Sequence, residues 1–485
     1  MSATAKRILE NSILRVGGYA VGALIYFAII VLIARYLGAE RFGYFSFILA
    51  LVGMFQLLVD MGVRNVLIRD IAVDKTRFAE KLGVARTLLW ALSFVTMALI
   101  VLLANLLPLS QEVRQSIYLA GLAVIVTFYA LGYSAVLRAF EEMEWDILGF
   151  VLHKCLFIGL IGMVINTDLG LQGVFGAMLA ANSGLYLYCW GMVRLLHGPA
   201  KRCLDLRPGW VLLKESLPLG IAEILRRSTW HVDKLLLAAL SSPVAVGVFS
   251  AGFKFLEAIN PFANNLTLPL FPAFSRFAQA SPLRVLSAFE QSLKFLFVIA
   301  IPLAITFFVF ADRVVVFFFG TEYAETNIVL KVLAPAVILV FPNSAYGYVF
   351  TALRLQRNYT VCVALSLLVK VLLELFLIPW CGYVGAAIGT VVAEGVLFCV
   401  GLLMLRRLGD GVPRLGLVWR PCVAGLVMGF LCWRVRDQAF TSALLGAGLG
   451  LAVYAGLLLL LKTFTRQELA LLVDAVRVRF RSSTQ

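Results

Sequence analysis

Apolar runs of about 18 to 25 residues recur along the whole of this 485-residue chain, each long enough as a helix to cross roughly 30 Å of hydrocarbon. They fall near 13–34, 44–68, 87–107, 116–137, 147–165, 174–196, 215–239, 248–272, 295–311, 325–350, 360–379, 386–405, 421–433 and 441–461. Only 14% of the residues are charged and 61% are hydrophobic. A soluble domain carries about 25% charge, so a soluble globule of this composition would lack a polar surface. The runs are continuous and do not alternate, which disfavours a membrane barrel. The chain therefore reads as an all-α integral membrane protein with about 14 transmembrane helices.

The net charge of +15 follows from topology. With a cytoplasmic N-terminus, about 30 of the 42 Lys and Arg fall at inner loops and span ends, the asymmetry of the positive-inside rule. Lys75, Arg77, Lys81, Lys201, Arg202, Arg207, Arg406, Arg407 and Arg414 are on that side; Arg35, Arg41, Arg114, Arg313, Arg434 and Arg436 are opposite. This places both termini in the cytoplasm and gives no reason to invoke nucleic acid. The opening MSATAKRILENSILRVGGYA lacks a small-residue cleavage site and reads as a retained first helix. Eight cysteines form no CxxC pair and the three histidines are scattered, so no metal or cofactor is expected.

Two strings repeat at matching topological places. GYFS at Gly43–Ser46 returns as GVFS at Gly247–Ser250, 204 positions later, and GLQGVFGA at Gly170–Ala177 returns as GYVGAAIG at Gly382–Gly389, 212 positions later. The expectation is two six-helix lobes, residues 1–205 and 206–410, related as parallel repeats, with substrate bound near mid-membrane. Residues 411–485 would hold helices 13 and 14 and a cytoplasmic amphipathic tail, opened by a capping box at Thr465 and Glu468.

The sharpest anomaly is AEILRRSTWHVDKLLLAAL at 222–240. Each charge at the centre of a membrane helix costs roughly 2.5–3.5 kcal/mol on the insertion scale. Glu223 and Arg227 are spaced to pair, which leaves Arg226 the sharper candidate for a ligand. Further charges sit in neighbouring spans: Lys254 and Glu257, Lys331, Lys370 and Glu374, Glu394, and Arg15 and Asp60 in the first half. Intrahelical pairing accounts in part for Lys254–Glu257 and Lys370–Glu374 but not for two adjacent arginines. A hydrated cavity lined by Arg226, Arg227, Lys234, Lys254, Lys331 and Lys370 suits a phosphate-bearing anion. Asp60, Asp233, Glu257 and Glu374 are the candidates for ion coupling.

The segments LIARYLGAERFGYFSFILALVGMFQLLVDMGVRNVLIRD (32–70), GVFSAGFKFLEAI (247–259) and FFFGTEYAETNIVLKVLAP (317–335) resemble the polysaccharide-transport flippases. These belong to the multidrug/oligosaccharidyl-lipid/polysaccharide exporter superfamily. The resemblance implies a V-shaped pair of six-helix lobes around a cationic cavity, in the bacterial cytoplasmic membrane. It further implies a flippase that carries an undecaprenyl-pyrophosphate-linked oligosaccharide, such as an O-antigen repeat unit of lipopolysaccharide, to the outer leaflet by alternating access. The partners implied are that lipid-linked oligosaccharide, membrane lipids, a proton or sodium counter-ion, and polymerase and glycosyltransferase machinery. Helices 13 and 14 keep a lipid II-type flippase open as an alternative. A cation-coupled multidrug antiporter, which would rest on Asp60, is another. No Walker A string or DxD motif occurs and the outer loops are short, so an enzyme is disfavoured.

Overall fold

The computed structural model describes residues 3–201, 207–407, 418–436 and 440–464, with side chains at those positions apart from 3–20, 57, 215, 217–223 and 440–445. The proposed tail helix, with Thr465 and Glu468, lies outside the described residues, as does the Glu223 side chain. The elements are α1 (Ala3–Asp60), α2 (Val63–Val73), α3 (Phe78–Leu106), α4 (Gln111–Ala139), α5 (Met143–Thr167), α6 (Gly170–His197), α7 (Arg207–Leu240) and α8 (Pro243–Thr267). They continue as α9 (Phe271–Ala280), α10 (Pro282–Val309), α11 (Ala311–Phe319), α12 (Thr326–Ala352), α13 (Gln356–Cys381), α14 (Tyr383–Arg406), α15 (Trp419–Val435) and α16 (Phe440–Leu460). No strand occurs among the described residues, and the apolar runs read from the sequence fall mainly on helix, the 44–68 run being broken by a turn at Met61 and Gly62 (φ 37° and 81°). In hydrocarbon the backbone must satisfy its own hydrogen bonds, which helices do within one segment. Eight of the described helical segments are long and apolar enough to cross a membrane by length and composition alone. This is a multi-pass membrane protein.

Two compact units emerge. The first comprises Met1–Ala258, Phe318–Thr326 and Val363–Thr390; the second comprises Ile259–Phe317, Asn327–Cys362 and Val391–Gln485. In the first, α1 contains two expected spans joined at Gly38, whose φ of 70° and ψ of 172° interrupt the helix. Glycine is needed there on two counts, because a Cβ would also meet the Glu322 carboxylate at 2.6 Å. That carboxylate accepts a hydrogen bond from the Ala39 amide at 2.9 Å, and the Tyr323 hydroxyl donates to the Ala34 carbonyl at 2.8 Å. One amide and one carbonyl freed at the break are thereby satisfied.

The sequence repeat reappears as a reciprocal packing contact inside this unit. A Cβ on Gly43 would strike the Pro243 carbonyl oxygen, and a Cβ on Gly247 would strike the Ala39 carbonyl oxygen. Residues 39 and 243 stand 204 apart, as do 43 and 247, so each helix start meets its own counterpart in the way that a two-fold axis imposes. The second repeat also shares a conformation: Gly170 and Gly382 have φ of 61° and 53° at the turns entering α6 and α14.

The second unit packs through aromatics and small residues. The buried Tyr346 donates to the Phe398 carbonyl at 2.9 Å, and Gly401 leaves the space its ring occupies. Gly425 of α15 seats Ile301 of α10, and Gly450 of α16 seats Cys432 of α15. Such close approaches drive helix association where lipid is as apolar as leucine.

Candidate functional site

Successive residues of a helix point about 100° apart, so Asp233 and Lys234 of α7 serve two flanks. On one flank Lys234 donates to Glu257 of α8 at 2.7 Å. Lys254, one turn before Glu257, takes the other carboxylate oxygen at 2.5 Å. Phe253 lies under the Lys234 ammonium at 4.7 Å and meets Trp230 edge-on at 5.5 Å. Two ammonium groups thus share one carboxylate, and the trio has a net charge of +1 when all three are ionised.

On the other flank the balance is inverted. Lys370 of α13 lies 2.5 Å from Asp233 and donates to the Thr229 carbonyl at 2.7 Å, while its distance to Glu374 is 4.0 Å. Asp233 and Glu374 are both completely buried and Lys370 is 1% exposed. The i, i+4 pairing of Lys370 with Glu374 read from the sequence is therefore secondary. Coulomb attraction rises as the separation falls, and α7 brings Asp233 closer than Glu374 can reach along its own helix. Gly389 on α14 makes the room: a Cβ there would lie 2.5 Å from the Glu374 Cγ. The GYVGAAIG string accordingly supplies both a left-handed turn and the cleft for a buried acid.

The other candidates lie elsewhere. Arg227 is half-buried and Arg226 exposed on α7, toward its N-terminal side from the two trios. His231 lies between, against Gly53 of α1. Asp60 is held by Arg64 at 3.5 Å at the end of α1. Lys331 is in the second unit, where it pairs with the half-exposed Asp312 at 2.9 Å. Glu394, also in that unit, accepts a 2.6 Å hydrogen bond from Asn343.

Lys154 of α5 escaped the sequence reading. Its ammonium lies 4.6 Å from the Tyr26 ring centroid and 5.4 Å from that of Phe150. Tyr26 in turn interacts with Glu257 and Lys234. Among the described residues no carboxylate pairs with Lys154. The signal was present: a lysine mid-span with no acid three or four positions away has nothing to neutralise it locally. Spacing rules find pairs and pass over such a lone charge.

The comparisons with known proteins meet this geometry. Residues 8–278 match the family model described as polysaccharide biosynthesis protein. The chain belongs to that family. It is 22% identical over 398 residues to a protein of Escherichia coli K12 named "Putative O-antigen transporter", covering 77% of this chain and 91% of that one. It is 22% identical over 386 residues to the Haloferax volcanii "Probable low-salt glycan biosynthesis flippase Agl15", covering 77% and 78%. The fold is similar to that of a solved structure titled "Lipid II flippase MurJ, inward closed conformation", with TM-score 0.76 and 13% identity over 93% of this chain and 99% of that one. An inward-facing multidrug resistance MATE transporter of the MOP superfamily superposes with TM-score 0.65 and 16% identity, covering 82% and 98%.

Proposed function

We propose that the chain is a flippase that carries a polyprenyl-pyrophosphate-linked oligosaccharide, such as an O-antigen repeat unit, from the cytoplasmic to the outer leaflet. The observation that carries the reading is the pair of trios on α7. Lys234, Lys254 and Lys370 face Asp233, Glu257 and Glu374, three bases against three acids, whose formal charges sum to zero. A pyrophosphate engaging Lys234 and Lys254 displaces Glu257 and adds negative charge. Burying that charge without compensation is costly, and a proton taken up by Glu374 or Glu257 offsets it. Arg226, Arg227 and Lys154 extend the basic surface along the headgroup, and guanidinium forks suit phosphate oxygens. Substrate entry and proton uptake then become a single coupled event, which is what a gradient-driven transporter needs.

On this reading the protein is a transporter and not an enzyme, and both termini lie in the cytoplasm. Two six-helix lobes, 1–205 and 206–410, carry the site and residues 411–485 are accessory. Polymerase and glycosyltransferases act on either side of the transport step. A lipid II-type substrate shares the same phosphate chemistry and a MurJ-like fold. A cation antiporter based on Asp60 is disfavoured by the Arg64 pairing of that carboxylate. The deciding experiment replaces Arg226 and Arg227 together by alanine and measures glycan export at matched protein level. Export should fall at least tenfold, the equivalent of about 1.4 kcal/mol of lost interaction. Undiminished export removes the arginines from the phosphate site, and undiminished export in Lys254→Gln as well sinks the site itself.

A further inference from the structure

A second basic site lies in the first unit, away from the α7 trios. A cavity of about 230 Å³ opens between α3, α4 and α6, lined by Arg86, Tyr133, Trp190 and Arg194, with the backbone of 198–200 after α6 among its walls. Its lining includes no carboxylate among the described residues. Among the described residues Glu80 is engaged by Arg77, Glu142 by His197, Asp146 by Arg138 and Asp70 by Arg69. Arg194 stacks only on Trp190, 5.3 Å from its ring, and among the described residues neither Arg86 nor Arg194 is paired with a carboxylate. The Lys201 amide donates to the Ala79 carbonyl at 2.9 Å and ties the chain after α6 back to α3. Two guanidinium groups on different helices therefore line one cavity together with a tyrosine, and among the described residues no carboxylate lines it.

Size and place decide the ligand. Pockets for drug-sized molecules run from about 300 Å³ upward, so this one is too small for an oligosaccharide and suits a phosphoglycerol headgroup. It opens at the unit's basic end, where Lys75, Arg77, Lys81 and Lys201 gather. Basic pockets between helices at the cytoplasmic side are where anionic lipid headgroups bind. Aromatic rings lead away from it: Tyr133 meets Tyr186 at 5.9 Å, Tyr186 meets Tyr129 at 6.4 Å, and Tyr129 meets the exposed Trp90 at 5.8 Å. That row gives acyl chains an apolar, partly polar-tipped track toward the bilayer. We infer that the Arg86–Arg194 pocket holds the phosphate of an anionic phospholipid of the inner leaflet, as a standing lipid site separate from the transported substrate. Resident lipid there would fix the inner ends of α3 and α6 and make transport depend on membrane composition.

Trp190 provides the readout. The full chain is placed in phosphatidylcholine nanodiscs carrying rising fractions of brominated phosphatidylglycerol or brominated phosphatidylcholine, and tryptophan quenching is recorded. The Trp190 contribution is the difference between wild type and Trp190→Phe. It should quench at a mole fraction of phosphatidylglycerol about 30-fold below that of phosphatidylcholine, the equivalent of about 2 kcal/mol. Arg86→Gln with Arg194→Gln should bring the two lipids together. Equal quenching of Trp190 by both lipids in the wild type overturns the inference whether or not the double variant folds. So does an unchanged preference in a folded double variant. Displacement of the brominated lipid by equimolar undecaprenyl phosphate would assign the pocket to the transported lipid and overturn it equally.

Discussion

Asp233 and Lys234 are neighbours in sequence, yet each anchors a cluster of opposite character. Around Lys234 two bases share one acid, and Glu257 keeps a partial exposure of 25%. Around Asp233 two acids share one base, and all three groups are sealed from solvent. In the proposed mechanism an anion is received at the first cluster, whose surplus is positive; Lys234 and Lys254 are buried and Glu257 is its partly exposed member. The second is too enclosed for a headgroup but is suited to a proton, whose gain or loss changes charge without needing space. The proposed mechanism thus puts substrate recognition and coupling on adjacent residues of one helix.

The comparison is broken most severely at Lys370. Its replacement by alanine leaves Asp233 and Glu374 buried without a base, and stranding one partner of a buried ion pair costs about 3–5 kcal/mol. Thermal unfolding in detergent should show a large loss, and adding Asp233→Asn and Glu374→Gln should restore most of it. A Lys370→Ala protein as stable as wild type shows that the second cluster is not charged in the resting state. The same change at Lys254 should be far milder, because Glu257 retains Lys234 at 2.7 Å.

Glu374→Gln sharpens the comparison in a different way. The amide mimics the protonated acid, leaving Asp233 paired with Lys370 and the cluster neutral. Stability should change by less than about 1 kcal/mol, since one carboxylate already suffices for one ammonium. Transport in wild type should vary with pH across the protonation of the trio, and in the variant that dependence should flatten. A variant profile parallel to that of the wild type would exclude Glu374 as the proton carrier.

Helix content and membrane placement were legible in the sequence because hydropathy acts locally, and AEILRRSTWHVDKLLLAAL could be singled out for the same reason. Pairings within one helix, such as Lys254 with Glu257, were legible from spacing. The partner of Lys370 was not: Asp233 lies 137 positions earlier, and only the packing of α7 against α13 brings the two together. Lys331 shows the converse, a charge in an apolar run that the fold sends to an exposed pair with Asp312. Gly389 carried a hint as part of a repeat, but its role depends on the side chain of another helix. Periodicity along the chain cannot report contacts whose geometry is set between helices.

The smallest expected effect tests whether the basic cluster ends at α8. Lys154 touches Tyr26 and Phe150 through their ring faces, contacts worth about 0.5–1 kcal/mol at exposed sites and more where water is excluded. Because none of its partners among the described residues is an acid, Lys154→Gln leaves no orphaned charge there, and unfolding should shift little. If Lys154 helps hold the headgroup, apparent affinity for the lipid-linked glycan should weaken about three- to fivefold, with the maximal rate preserved. A loss confined to stability would instead mark it as a packing residue. Tyr26→Phe separates the two further: it keeps the ring that Lys154 faces and removes only the hydroxyl. A normal transport rate in that variant, beside reduced affinity in Lys154→Gln, would place the extra positive charge on the substrate path and extend the receiving surface from α8 across α1 to α5.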